Sequence, residues 1–206
     1  MTHQVEIEFK TLLTREEYQR VIAFYQLDRS AFHTQTNLYF DTLDHQLKQK
    51  KFGLRIRTTE DKAELTLKSP LKEGLLETTD ILSLDEAADL RENQRILFTG
   101  AVADRLIQEQ IDPAAVKPFA ELTTRRAEFS VTEGLLALDE SWYGQSHDYE
   151  LELEVSEASS GKRAFLSLLD RLHISYRPTR STRIDNKLDL SDSQTNKSRS
   201  SESLPN

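Results

Sequence analysis

Alternation of apolar and charged residues dominates this chain. In Glu6-Ile7-Glu8-Phe9-Lys10 every second residue is charged, and in Tyr149 to Val155 Glu150, Glu152 and Glu154 alternate with Leu151, Leu153 and Val155. Side chains along a strand point to opposite faces in turn, so residues two apart share a face. Period-two patterning or strong β-formers predict strands over residues 5–11, 34–41, 53–59, 63–68, 76–81, 125–131, 135–140, 147–155 and 182–188. Helical spacing interrupts the pattern. Thr14 followed by Arg15-Glu16-Glu17 predicts a capping box opening a helix to Tyr25. Residues 83–110 predict two helices broken near Thr99-Gly100. Ser160-Gly161 opens a fourth through Leu172, with Ala164, Phe165, Leu168, Leu169 and Leu172 on one face. Many strands with few crossover lengths predict an antiparallel, closed or nearly closed sheet with helices packed outside, an α+β fold.

The charged faces change the picture. Glu6, Glu8 and Lys10 share one face of the first strand, Arg55 and Arg57 share another, and Lys68 lies with Thr66 and Glu64. Arg126 and Glu128 oppose Phe129 and Val131, and Asp139 continues the pattern after Leu138. For a single strand, water on the polar face explains this. For the set it does not, because three carboxylates in a row repel one another and give no folding benefit. A divalent cation resolves that repulsion, since magnesium and manganese take carboxylate and phosphate oxygens. Arginine forks match phosphate oxygens in bidentate fashion. A sheet curled with its polar face inward becomes a channel with carboxylates on one wall and cations on the other.

Composition bounds the rest. The 206 residues are 37% hydrophobic and 30% charged, enough for a sizeable domain with a large charged surface. Residues 1–190 read as one domain, and 191–206, rich in Ser, Asn and charge, as a tail that cannot offset its ordering entropy by burial. A net charge of −8 argues against nucleic acid but leaves room for a small polyanion held by a local basic cluster. There is no cysteine, which excludes disulfides, thiolate metal sites and Cys nucleophiles. The N-terminus lacks a signal-peptide pattern and no run is long enough to span a membrane, so the expected location is cytoplasmic. The five histidines share no spacing, and neither a Ser-His-Asp nucleophile motif nor a glycine-rich phosphate loop is present. Trp142 and Tyr143 read as a packed corner in a turn with Gly144. Glu150 reads as solvent-exposed near its strand start, and Glu64 and Glu128 divide evenly between structural pairing and ligand contact.

Glu6-Ile7-Glu8-Phe9-Lys10 resembles the ExExK signature of the CYTH superfamily, the triphosphate tunnel metalloenzymes. The likeness continues in order through Tyr39-Phe40-Asp41-Thr42, Leu54-Arg55-Ile56-Arg57, Leu65-Thr66-Leu67-Lys68, Arg126, Asp139 and Glu152-Leu153-Glu154, over residues 5–188. In detail it is similar to the small bacterial members of the Firmicute type. The resemblance implies a closed eight-stranded antiparallel tunnel and metal-dependent hydrolysis of a linear triphosphate, with Mg2+ or Mn2+ as cofactor. It implies metal ligation by Glu6, Glu8, Asp139, Glu152 and Glu154, and phosphate contacts from Lys10, Arg55, Arg57, Lys68 and Arg126. Glu6, Glu8 and Lys10 form its catalytic set. Glu77 matches the lining more loosely. The family's last strand carries a lysine where this chain has Arg183, which clamps phosphate but cannot lose its proton. The same superfamily includes adenylyl cyclases of class IV and thiamine triphosphatases, and a non-catalytic polyphosphate- or nucleotide-binding module is a further reading. The expected partner is a small-molecule triphosphate or polyphosphate, with no membrane; a homodimer stays open.

Overall fold

The computed structural model describes residues 2–177. The expected strand over 182–188, Arg183 and the tail over 191–206 lie outside the described residues. Eight strands form one closed antiparallel barrel: β1 (Thr2–Leu13), β2 (Phe32–Thr42), β3 (Gly53–Thr58), β4 (Ala63–Pro70), β5 (Leu75–Leu82), β6 (Val116–Val131), β7 (Gly134–Tyr143) and β8 (Ser146–Val155). Around the ring the order is β1-β5-β4-β3-β2-β6-β7-β8, which places β3 and β8 four strands apart in either direction. Five helices pack outside: α1 (Arg15–Tyr25), α2 (Gln46–Gln49), α3 (Leu84–Glu92), α4 (Ala101–Gln108) and α5 (Ala158–Arg171). Among the described residues, no helix is long and apolar enough to cross a membrane.

Hydrocarbon lies outside the barrel, in two separate cores. Leu54, Ile56, Leu65 and Leu67 from β3 and β4 pack against Leu90, Val102 and Leu106 of α3 and α4. Leu136, Leu138, Leu151 and Leu153 from β7 and β8 pack against Tyr18 and Val21 of α1 and Phe165, Leu168 and Leu169 of α5. Each fully buried Leu contributes roughly 1.5–3 kcal/mol. With the apolar face of every strand committed outward, the alternate face is left to line the interior.

Capping chemistry sets the helices. Thr14 and Ser83 each accept from the third helical amide and receive a Glu in return, two capping boxes. Asp80 of β5 accepts from Ala101 N and Val102 N, at 3.0 and 2.9 Å, anchoring the start of α4 to the barrel. Gly100 precedes it at φ 108°, where a Cβ would meet the Asp80 carboxylate at 2.7 Å, so glycine is required. The break between α3 and α4 runs from Asn93 to Gly100.

The sequence expectations shift in four places. β6 runs sixteen residues, from Val116 rather than 125. Its first half carries Pro118 and pairs β2 through a register shift at Tyr39/Phe40, which spoils the alternation. α5 starts at Ala158, because Glu157 accepts from Ser159 N and Ser160 N and caps it earlier than Ser160-Gly161. Trp142 and Tyr143 belong to β7 rather than to a turn, paired with His147 and Ser146. Short α2 was not expected. It exists because Asp41 accepts from Leu47 N and Lys48 N, at 2.9 and 3.1 Å.

Candidate functional site

Directly opposed residues in a ladder share a face, so the register traces the lining around the barrel. Lys10 of β1 faces Glu152 of β8, and Glu8 faces Glu154. Glu152 faces Ala137 of β7, and Glu150 faces Asp139, which in turn faces Arg126 of β6. On the far side Asn37 of β2 faces Arg57, and Tyr39 faces Arg55. Arg55 then faces Thr66 of β4, Arg57 faces Glu64, and Lys68 faces Glu77 of β5. Arg55 and Arg57 of β3 therefore stand across the barrel from Glu150, Glu152 and Glu154 of β8. The expected anionic and cationic walls of one curled sheet face each other across its interior.

The walls are not pure. Arg126 donates to both oxygens of Asp139 at 2.7 Å and to Glu152 Oε2 at 2.7 Å. Lys10 Nζ lies 2.8 Å from Glu8 and 3.2 Å from Glu152. Lys68 pairs with Glu6 and, at 3.5 Å, with Glu77. Burial alone would lower the pKa of Lys10. Glu152, Glu8 and Glu150 outweigh that and raise it above the usual lysine range. Arg126 behaves alike: burial opposes its charge, while Asp139 and Glu152 stabilise it.

Arg57 differs. Burial, then the neighbouring Arg55 and Arg126, pull its pKa down to about 10, so it stays cationic at neutral pH with its charge poorly compensated. Its nearest carboxylate, Glu64, is 3.6 Å away. Arg55 is half-buried, and its buried Nε has no hydrogen-bond partner among the described residues. These two guanidiniums form the part of the lining best prepared for an added anion.

On the opposite wall, Glu6, Glu8, Arg126, Glu128, Leu135, Ala137, Glu152 and Glu154 line a cavity of about 260 Å3, counting its open side. Burial raises the pKa of Glu154, and repulsion from Glu6 adds to it. That crowding of carboxylates matches the donor set of a hard divalent cation. Among the described residues no cluster of His, Cys, Asp and Glu already has metal-site geometry. Glu6, Glu8, Glu152 and Glu154 share the cavity, but Asp139 lies outside it and has both oxygens engaged by Arg126.

Other expectations sort as follows. Glu150 is 2% exposed, which overturns its reading as a solvated residue: its strand start lies inside the barrel opposite Asp139. Glu64 and Glu128 each sit near an arginine, at 3.6 Å from Arg57 and 3.7 Å from Arg126. Arg125 points outward, over the Phe32 ring at 4.2 Å and 3.5 Å from Glu140. Trp142 alternates with the inward Ser141 and stacks on His147 at 5.2 Å, outside the barrel, so it offers no platform for an organic group inside. Asp41 of the Tyr39-Phe40-Asp41-Thr42 motif spends its oxygens on the amides of Thr42, Leu47 and Lys48, a structural task. The neutral lining of Gln35, Asn37, Thr124 and Ser141 was missed. The alternation Gln35, Asn37, Tyr39 was its only signal, and uncharged residues draw no attention in a charge-based reading.

Comparison with known proteins adds to this geometry. The family model described as the CYTH domain matches residues 4–183. The YjbK protein of Bacillus subtilis (strain 168), which carries a provisional triphosphatase name, is 42% identical over 180 residues, 87% of this chain and 93% of that protein. The crystal structure of the bh2851 protein of Bacillus halodurans, provisionally named an adenylate cyclase, superposes with a TM-score of 0.84 at 37% identity. It covers 88% of this chain and 97% of that one. The HpAC1 protein of Hippeastrum, described with a dominant triphosphatase activity, gives a TM-score of 0.70 over 87% of this chain and 93% of its own; at 24% identity the likeness supports the fold alone.

Proposed function

Because the chain belongs to the CYTH family, we propose that it hydrolyses a linear triphosphate, inorganic or organic, inside the barrel with the help of a divalent metal ion. The observation that carries this reading is the placement of Arg55 and Arg57 on β3, across the interior from the carboxylates of β8. A phosphate chain bridging those walls meets weakly compensated guanidinium on one side and a cation-seeking carboxylate set on the other. The triphosphatase name of YjbK points the same way.

Arg55 and Arg57 hold phosphate oxygens by bidentate forks, Lys68 adds point charge from the adjacent β4, and Lys10 adds it from β1 beside β8. Arg126 joins them only by sharing bonds it already makes to Asp139 and Glu152. Glu6, Glu8, Glu152 and Glu154 would hold Mg2+ or Mn2+; the expected Asp139 joins them only if its pair with Arg126 opens. When bound, the ion supplies positive charge beside the phosphate oxygens. Water attacks the terminal phosphorus in line, the bond to the bridging oxygen breaks, and a carboxylate of the acidic wall takes the water's proton. Catalysis then comes from positioning and charge complementarity rather than covalent chemistry.

The cyclase name of bh2851 favours a second reading: closure of ATP to cyclic AMP on the same contacts, with pyrophosphate leaving. One assay separates the readings: incubation with inorganic triphosphate, ATP and thiamine triphosphate, each with Mg2+, Mn2+ or EDTA. Phosphate released from a triphosphate, and abolished by EDTA, is the expected result. Pyrophosphate with cyclic AMP supports the cyclase, and binding without turnover supports a non-catalytic module.

A further inference from the structure

Two lining arginines are each held by a cross-strand acceptor, one charged and one neutral. Arg126 donates its Nε to the cross-strand residue Asp139 at 2.7 Å. Arg57 donates its Nε to the cross-strand residue Asn37 at 3.2 Å. Asp and Asn have nearly the same shape, but Asp139 accepts through both oxygens and carries a charge, while Asn37 accepts through its one oxygen and is neutral. Arg126 is thereby neutralised in place. Arg57 is oriented without being neutralised.

We propose that Asn37 is the positioning residue that fixes Arg57 through a neutral acceptor and so reserves its charge for a phosphate chain. Asn37 is only 2% exposed, so its amide is committed to the barrel interior rather than to bulk water. On the other flank Glu64 faces Arg57 across β4, at 3.6 Å, beyond hydrogen-bond length. Glu64 thus competes weakly for Arg57, while Asn37 sets the plane of the guanidinium and leaves the remaining N–H groups for a ligand. Burial, and after it repulsion from Arg55 and Arg126, depresses Arg57, and an anion entering here relieves the repulsion. The inference rests on the triphosphate reading above, and it deepens that reading by naming what keeps the cationic wall available.

The test is equilibrium titration of the full chain with inorganic triphosphate in EDTA, where hydrolysis is stopped and the cationic wall still binds, for the wild type, Asn37→Ala, Asn37→Asp, Glu64→Gln and Arg57→Ala. A merely structural acceptor makes Asp as good as Asn and Ala worse. Charge reservation reverses that order: Asn37→Asp should weaken binding about tenfold or more, and Asn37→Ala less, because a carboxylate satisfies Arg57 internally. Glu64→Gln should tighten binding severalfold, and this variant serves if Asn37→Asp does not fold. In an Arg57→Ala background Asn37→Asp should add no further loss. Binding by Asn37→Asp within twofold of wild type, or weaker binding by Ala than by Asp, overturns the inference, as does unchanged or weaker binding by Glu64→Gln. If Arg57→Ala itself leaves affinity unchanged, the phosphate reading of this wall fails and the inference fails with it.

Discussion

Replacing Asp139 by Asn tests what that buried carboxylate does. The side chain is 4% exposed and that of Arg126 12%, and two bonds of 2.7 Å join them. Removing one partner of a buried ion pair typically costs about 3–5 kcal/mol, because the other charge stays behind. Here the loss is smaller. Glu152 still contacts Arg126 at 2.7 Å, and the Asn oxygen retains one of the two bonds. The expected destabilisation is therefore ~2–3 kcal/mol, at or below the lower end of that range. For a chain of this length that corresponds to a fall in Tm of about 4–12 °C. Urea unfolding in EDTA, followed by far-UV circular dichroism, should show the midpoint fall with the slope unchanged. If Asp139 were chiefly a metal ligand repelled by its acidic neighbours, Asn would raise the midpoint of the metal-free protein. An unchanged or raised midpoint refutes the ion-pair account.

Two further outcomes follow from helix ends. Asp80→Ala removes the acceptor of two α4 amides and should cost about 2–3 kcal/mol in urea unfolding; a change under about 0.5 kcal/mol would show that water replaces it, the usual range for a surface substitution. Glu157 caps α5, and its bonds to the side chains and amides of Ser160 and Ser159 lower its pKa from 4.5 to about 2. A depressed carboxyl stabilises the fold above its unfolded pKa and loses that effect as pH falls through its folded value. Glu157→Gln should therefore lower Tm at pH 7, with the gap to wild type closing between about pH 4.5 and 2; a gap constant across that window contradicts the cap.

The sequence by itself determined the two-faced strands, because alternation is local: Glu6, Glu8 and Lys10 cannot avoid sharing a face once residues 2–13 are extended. The capping boxes at Thr14 and Ser83 are equally local, since their partners lie three residues away. Charged candidates were legible for the same reason. Tertiary structure alone decided which faces meet. That β3 stands across from β8, that Glu150 is buried against Asp139, and that Trp142 points outward depend on ring order and register, which no short window contains. It also decided partnership. Arg57 and Arg126 are alike in sequence, but cross-strand pairing gives one a neutral amide and the other a carboxylate. Electrostatic energy depends on the distance between charges, and only the closed sheet sets those distances.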